Sequence, residues 1–152
     1  MRLTKQSNYA IRLLMYCAAN PGELSQVSEI AKAYNVSELF LFKILQILVK
    51  GGLIKTVRGR NGGIYLSRPA KEITVSSVIK LTEENFAIAE CFSEDHSDCP
   101  LTNSCGLNAA FSKALKAFFE VLEQTTIKDL QRPTFRERLG IDNPSEKTTS
   151  ND

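Results

Sequence analysis

The 152-residue sequence contains one histidine and no long apolar run, and both scarcities narrow its possible functions. The single histidine, His96, lies among cysteines, and no nucleophile–base pair or nucleotide-binding glycine motif accompanies it. We therefore do not expect an enzyme. No stretch approaches the ~20 consecutive apolar residues that span a bilayer, so no membrane association is expected either.

The N-terminal segment lacks the features of a secretion signal. Polar Gln6, Ser7 and Asn8 follow the first basic residues, and Arg12 interrupts the apolar positions behind them. We therefore expect a cytoplasmic protein. Cysteines in that compartment rarely form disulfides, so the four cysteines of this chain call for another explanation.

The net charge is only +2, but it is distributed unevenly. Residues 1–70 carry ten Lys/Arg and three Asp/Glu, a balance of +7, whereas residues 71–106 carry two and seven, a balance of −5. A basic N-terminal half indicates a polyanionic partner. A solvated basic surface would show the same excess, so charge alone does not identify DNA.

The spacing of apolar residues predicts five helices and one β-hairpin. Ser25 and Ser37 are suitable N-caps for the second and third helices, and glycines or a Pro-Gly pair mark helix ends. The predicted helices cover residues 4–20, 25–34, 37–50, 74–82 and 107–130, and the predicted strands cover 53–57 and 64–66.

The order of helix, helix, short turn, helix and basic hairpin is the winged helix-turn-helix pattern. The predicted fold class is mainly α with a small β-hairpin wing, followed by a long C-terminal dimerisation helix. We expect a DNA-binding domain at 1–82, a cysteine-bearing loop at 83–106 and a dimerisation segment at 107–132. The remaining tail, 133–152, is polar after Gly140, and its end is expected to be disordered.

Candidate contacts with double-stranded operator DNA lie on the solvent side of the third helix and at the tip of the wing. Apolar side chains there can contact thymine methyl groups. Glycines in the wing allow close backbone approach or positive φ, although a plain tight turn with solvated arginines is the alternative. The candidates are Ser37, Glu38, Leu39, Phe42, Lys43 and Gln46 on the helix, and Arg58, Arg60, Asn61, Gly62 and Gly63 on the wing.

The helix predicted at 107–130 is apolar over much of its circumference. Such a helix is normally buried on two sides, and in so small a protein the second side is expected to contact a partner subunit. We therefore predict a homodimer, with Phe111, Phe118 and Leu122 as interface anchors.

Three cysteines, Cys91, Cys99 and Cys105, lie in an acidic loop with the spacing C-x7-C-x5-C. Thiolates suit zinc and iron–sulfur clusters. Structural zinc sites usually have four ligands and paired C-x2-4-C spacings, so the wide loop favours a cluster. His96 keeps a Cys3His zinc site open. Cys17, on the apolar face of the first helix, is expected to be a buried structural thiol.

Taken together, these segments resemble the Rrf2 family of bacterial transcription regulators from residue 1 to about residue 140. The resemblance rests on MRLTKQSNYAIRLL, IAKAYNVSELFLFKILQIL, VRGRNGGIYL and the three-cysteine loop before a long helix. Within the family, the chain looks most like the rhizobial iron regulators of the RirA branch. The segments that carry this finer likeness are SELFLFKILQ, TVRGRNGG, FAIAECF and CPLTNSCGLN.

The resemblance implies a homodimer, crossed through the long helix, that reads a partly palindromic operator. It also implies a [4Fe-4S] cluster on Cys91, Cys99 and Cys105, with [2Fe-2S] or [3Fe-4S] as degradation forms. The cluster-bound form would repress iron-uptake genes, and loss of the cluster under low iron or oxidation would relieve repression.

One position departs from a branch of the family. In the nitric-oxide-sensing branch an early aspartate of the first helix completes the cluster, and the matching residue here is Asn8. Asn8 argues against a nitric-oxide sensor whose cluster has an aspartate ligand. The alternative function is a regulator of the same fold that senses nitric oxide in another way, redox state or cluster supply instead of iron. A cluster or zinc carrier without DNA binding is the third reading, against which the basic wing counts. Nearby options for a fourth ligand are His96, Glu94, Asp95 and Asp98.

Overall fold

The computed structural model describes residues 2–89, 92, 99, 101 and 105–141. The elements follow the predicted order of helices, hairpin and helices, which confirms the predicted fold class. They are α1 (Lys5–Ala19), α2 (Val27–Tyr34), α3 (Glu38–Lys50), β1 (Ile54–Val57), β2 (Gly63–Leu66), a 3-10 turn (Ala70–Glu72), α4 (Val75–Thr82), α5 (Gly106–Glu123) and α6 (Phe135–Arg138).

Local side-chain chemistry sets the ends of the helix-turn-helix. The Ser37 hydroxyl accepts the Phe40 N–H at 3.2 Å, which satisfies one backbone donor that the first turn of α3 leaves unpaired. Asn35 ends α2 in the left-handed region, with φ 50°, a conformation that asparagine tolerates better than most residues. The turn between α2 and α3 is therefore short and fixed in direction.

The core lies where α1, α3, α4 and the hairpin meet. The apolar faces predicted for the first four helices are buried, apart from half-buried Ala18 on α1. Their agreement with the structure follows from the 3.6-residue helical period. The fully buried large side chains include Leu13, Leu14, Ile30, Leu41, Ile44, Leu48, Val78 and Ile79.

A single residue before α2, Ser25, pairs with β2 as a short third strand and fixes the wing to the helix-turn-helix. β1 and β2 are antiparallel, with Ile54 opposite Leu66. Ser25 pairs with Ile64 through two backbone hydrogen bonds of 2.9 Å. The prediction that Ser25 caps α2 is therefore wrong: the backbone of Ser25 extends the sheet, and Gln26 occupies the N-cap position without a side-chain cap.

The prediction of one helix over 107–130 is wrong at its C-terminal end, because α5 ends at Glu123. Beyond it the chain returns to the core: Ile127 is fully buried, and its N–H donates to the Ile73 carbonyl at 2.9 Å. Asp129 accepts the Thr126 N–H and hydroxyl at 2.9 and 2.6 Å, a local pattern that competes with helix. Residues 124–132 therefore return to the helices of the N-terminal part instead of extending α5.

The C-terminal segment also contacts α1. The Arg136 guanidinium donates to the Ala19 carbonyl, and Leu139 and Ile141 pack against the core. The tail expected to be disordered, from 142 to 152, lies outside the described residues. Among the helices that the structure does describe, none is long and apolar enough to cross a membrane.

Candidate nucleic-acid interface and cluster-binding segment

The solvent face of α3 carries the side chains predicted for DNA recognition. Glu38, Leu39, Phe42, Lys43 and Gln46 are all exposed, while the opposite face of the helix is buried. Leu39 is 70% exposed and Phe42 is 45% exposed, so neither serves the core. An exposed face of mixed charge and apolar groups is what a helix entering the major groove presents.

Ser37 differs from the other candidates on this helix. It is exposed, but its hydroxyl is already engaged in capping α3. A capping hydroxyl still has a proton to donate, because it uses only one of its acceptor sites.

The wing lies beside α3, and a groove of about 300 Å³ separates them. Gln26 lines this groove, and its side-chain amide donates to the Gly62 carbonyl. Arg58, Arg60 and Asn61 are exposed at the tip. The lining residues are Gln26, Val27, Ser28, Glu38, Phe42, Leu45, Thr56, Val57, Gly59, Gly62, Gly63 and Ile64.

Glycine is required at three positions of the wing, each for a different structural reason. Gly59 has φ 112°, a conformation that other residues rarely adopt. A Cβ on Gly62 would lie 2.2 Å from the Val57 carbonyl oxygen, and one on Gly63 would lie 2.9 Å from Leu24 Cβ. Contacts within the chain therefore account for glycine at 62 and 63, which sequence reasoning had attributed to backbone approach or positive φ.

A hydrogen-bonded cluster ties the start of the cysteine-bearing segment to the start of α1. The Thr4 N–H and hydroxyl donate to Glu83 Oε1 at 2.8 and 3.0 Å, and the Ser7 hydroxyl donates to the same oxygen. The Gln6 amide donates to the Thr82 carbonyl at 2.9 Å. We call this group, Thr4, Gln6, Ser7, Thr82 and Glu83, the Glu83 clamp.

The Glu83 carboxylate is stabilised in its charged form by this clamp. Burial raises its pKa, but the hydrogen bonds from Ser7 and Thr4 outweigh that effect, and the net pKa is lowered. The clamp was not found by sequence reasoning. Its partners are 76 and 79 residues apart, and no periodic pattern marks them.

The described part of the cysteine-bearing segment ends at the N-terminus of α5. Cys105 is the N-cap residue of α5 and is half-buried, and Cys99 is exposed. The N-terminus of a helix favours negative charge, as a thiolate ligand set carries. Three thiolates are a donor set that suits an iron–sulfur cluster. Within the described residues no group of three or more potential metal ligands comes together. Cys91 and the options for a fourth ligand, Glu94, Asp95, His96 and Asp98, lie outside those residues.

Cys17 is the buried thiol that the sequence predicted. It is 4% exposed in the core of α1. Burial raises its pKa to about 12, although hydrogen bonding with Ser25 acts in the opposite direction. A thiol that stays protonated at neutral pH is a poor metal ligand. Asn8, on the same helix, is exposed.

The helix α5 has no buried residue in the single chain. One side of it packs on α4 and the residues after it: Phe119 meets the ring of Phe86 at 4.7 Å, and the Lys80 ammonium lies 5.1 Å from the Phe119 ring centroid. The predicted anchors Phe111, Phe118 and Leu122 are half-buried in the single chain, and their place in a dimer interface stays a prediction. The outward side has a different set of residues.

An apolar stripe runs along the outward side of α5 with the alternating three- and four-residue spacing of a helix–helix seam. Its terminal members, Leu107 and Val121, are 59% and 63% exposed. Three alanines between them are also exposed and would let a second helix approach closely. We call this stripe the α5 seam; it consists of Leu107, Ala110, Ala114, Ala117 and Val121.

Comparison with known proteins agrees with these features. The Rrf2 family model, described as iron-dependent transcriptional regulators, matches residues 3–133. The protein aau3 of Rhizobium meliloti strain 1021 is 62% identical over 99% of both chains. The HTH-type transcriptional regulator NsrR of Halalkalibacterium halodurans is 44% identical, over 86% of this chain and 90% of that protein.

Solved structures show the same architecture. IscR of T. potens superposes with a TM-score of 0.68 at 25% identity, covering 86% of this chain and 85% of IscR. A family match over residues 3–133 together with this fold establishes the class of the protein. The chain belongs to the Rrf2 family of DNA-binding transcriptional regulators.

Proposed function

We propose that the chain is an iron-responsive transcriptional repressor, which binds operator DNA as a homodimer while it holds a [4Fe-4S] cluster on Cys91, Cys99 and Cys105. The observation that carries the proposal is the position of the cysteine-bearing segment. It leaves the DNA-binding domain at the Glu83 clamp and enters α5 at Cys105. Its two ends are therefore attached to the DNA-binding domain and to the proposed dimer helix.

In the proposed dimer, the α5 seam of each protomer packs on that of its partner. A two-fold axis through this contact presents two copies of α3 and two wings to one face of DNA. Half-sites about 34–36 Å apart would then be read together. Ligation by the cysteines would fix the distance between the recognition helices, because metal binding and local folding are coupled.

The family description supports iron as the signal, since it names iron-dependent regulators. Low iron or oxidation would remove the cluster and release the operator. Asn8 offers a neutral amide where a carboxylate would be the stronger iron ligand, so one iron would be held weakly by the protein.

The proposal is tested by adding an iron chelator to anaerobically purified, cluster-loaded protein. We expect native mass spectrometry to show stepwise loss of iron, and operator affinity to fall by about 10³-fold or more towards non-specific binding. Intact clusters after chelation, or equal operator affinity of loaded and cluster-free protein, would contradict iron sensing. A regulator responding to nitric oxide or redox state would then be favoured, and the two signals can be applied to the same sample.

The wing is expected to contribute phosphate contacts. Because the dimer has two wings, Arg60→Ala should lower operator affinity and reduce the salt slope of log K by about 1.8, at ~0.9 per phosphate contact. Arg132→Ala, at an exposed position remote in sequence from the wing, is the control. A salt titration in which Arg60→Ala and Arg132→Ala give the same slope would remove the wing from the interface.

A further inference from the structure

One arc of the outward face of α3 carries three apolar side chains and a single amide. At ~100° per residue, Leu39, Phe42 and Val49 share an arc of roughly 80° with Gln46. The three apolar side chains are 70%, 45% and 39% exposed. The helix, ELFLFKILQILVK, contains neither arginine nor asparagine, so its one amide is Gln46.

The surroundings of this face fit a polyanion with apolar groups on its surface. Lys43 and Lys50 are exposed on one side of the arc, and Arg58 and Arg60 of the wing are exposed on the other. Beside the helix lies an open groove of about 350 Å³ with a mostly apolar lining. The groove is lined by Phe42, Leu45, Gln46, Val49, Lys50 and Thr56.

We infer that Leu39 and Phe42 read the 5-methyl groups of thymines in the major groove, so that the half-site facing the start of α3 contains at least two thymines. This inference rests on the proposed binding of operator DNA. The thymine methyl is the apolar group that base edges offer in the major groove. Leu39 and Phe42 lie in the first two turns of α3, where recognition helices reach base edges.

Recognition of base edges by hydrogen bonds is limited on this helix. Bidentate contact with guanine is made most often by arginine, which α3 lacks. Gln46 can recognise one adenine, and Glu38 can accept a hydrogen bond from one cytosine. Lys43 can contact one guanine, and Ser37 can bond to either type of base edge. Recognition of thymine methyl groups, which none of these polar groups provides, therefore falls to Leu39 and Phe42. Each buried methyl should change affinity about fourfold, and about fifteenfold when both half-sites are changed.

The experiment starts from a random duplex pool of about 24 base pairs, enough for two half-sites one helical turn apart. Cluster-loaded, full-length protein selects duplexes from it without oxygen, and cluster-free protein is the reference. Each thymine of the selected half-sites is then replaced singly by deoxyuridine, which removes only the methyl group. Affinities are measured for the unaltered protein, Leu39→Ala and Phe42→Ala.

We expect uracil at two positions in each half-site to weaken binding of the unaltered protein. One of these effects should disappear in Leu39→Ala and the other in Phe42→Ala. Both side chains are exposed, so the variants keep the core intact. Val49→Ala is the matched control: its position in the last turn of α3 lies away from base edges, and it should leave the uracil effects in place.

The outcomes distinguish the proposed operator binding from the proposed contacts with thymine methyl groups. Failure of both forms to enrich any duplex overturns the proposed operator binding and this inference with it. Equal enrichment by the loaded and cluster-free forms overturns cluster dependence alone. Enrichment followed by equal affinity for thymine and uracil duplexes overturns the methyl contacts alone. Uracil effects that persist unchanged in both variants also overturn the assignment to Leu39 and Phe42.

Discussion

Replacing Cys99 or Cys105 by alanine is expected to abolish cluster binding and to reduce operator affinity by about 10³-fold or more. The reason is that loss of one of the three thiolates leaves only two protein ligands, which are too few to retain the cluster. Cys91→Ala should have the same effect. Visible absorbance of anaerobically purified protein, iron and sulfide content, and operator affinity measure the outcome.

Cys17→Ala provides the control on the same chemistry. Its thiol is buried, with a pKa of about 12, and it should not ligate iron. The variant should retain cluster absorbance and operator binding, with only a modest loss of stability from the removed sulfur. Cluster absorbance that survives in Cys99→Ala or Cys105→Ala, or vanishes in Cys17→Ala, would show that the ligand set is assigned incorrectly.

The structure of the first 82 residues was predictable because it follows from local sequence patterns. The inner faces of α1 to α4 follow the helical period, and a serine N-cap and an asparagine turn mark the helix-turn-helix. Ser25 was misassigned for an equally physical reason. Serine is a good cap in isolation, but here its backbone pairs with Ile64 and its side chain is buried. A tertiary contact had overridden a local preference.

The structure of the C-terminal part was less predictable, because the apolar residues of its long helix belong to two sides with different surroundings. The apolar circumference of 107–123 includes a side against Phe86 and α4 and a side left open in the single chain. The prediction chose Phe111, Phe118 and Leu122 as interface anchors from this wide apolar circumference. These three side chains are half-buried in the single chain, whereas the open stripe consists mainly of alanines.

The return of the chain after Glu123 could not be found by periodicity. Ile127 continues the apolar spacing closely enough to resemble helix, yet it enters the core beside Ile73. The Glu83 clamp is likewise a long-range contact with no sequence signature. Both features matter for the proposed mechanism, because they attach Glu83 and the residues after α5 to the domain that contains α1 to α4.

A single charge in the α5 seam should dissociate the proposed dimer. Ala114 is exposed in the single chain and lies at the middle of the seam. In a two-fold dimer, Ala114→Glu would bury two like charges without partners. At about 3–5 kcal/mol for each uncompensated buried charge, the dimer dissociation constant should rise at least about 10⁴-fold.

Sedimentation equilibrium should therefore show Ala114→Glu as a monomer at micromolar concentration, while the unaltered protein remains a dimer. The monomer presents one recognition helix, so its operator affinity should fall by about 10³-fold, although the cysteines are unchanged and cluster absorbance should persist. Ala109→Glu is the matched control. It introduces the same charge on the same helix, but at an exposed position off the seam, and should leave both the dimer and operator binding intact. A dimer that survives Ala114→Glu would exclude the α5 seam as the interface, and the two-half-site geometry would then need another surface to hold the protomers together.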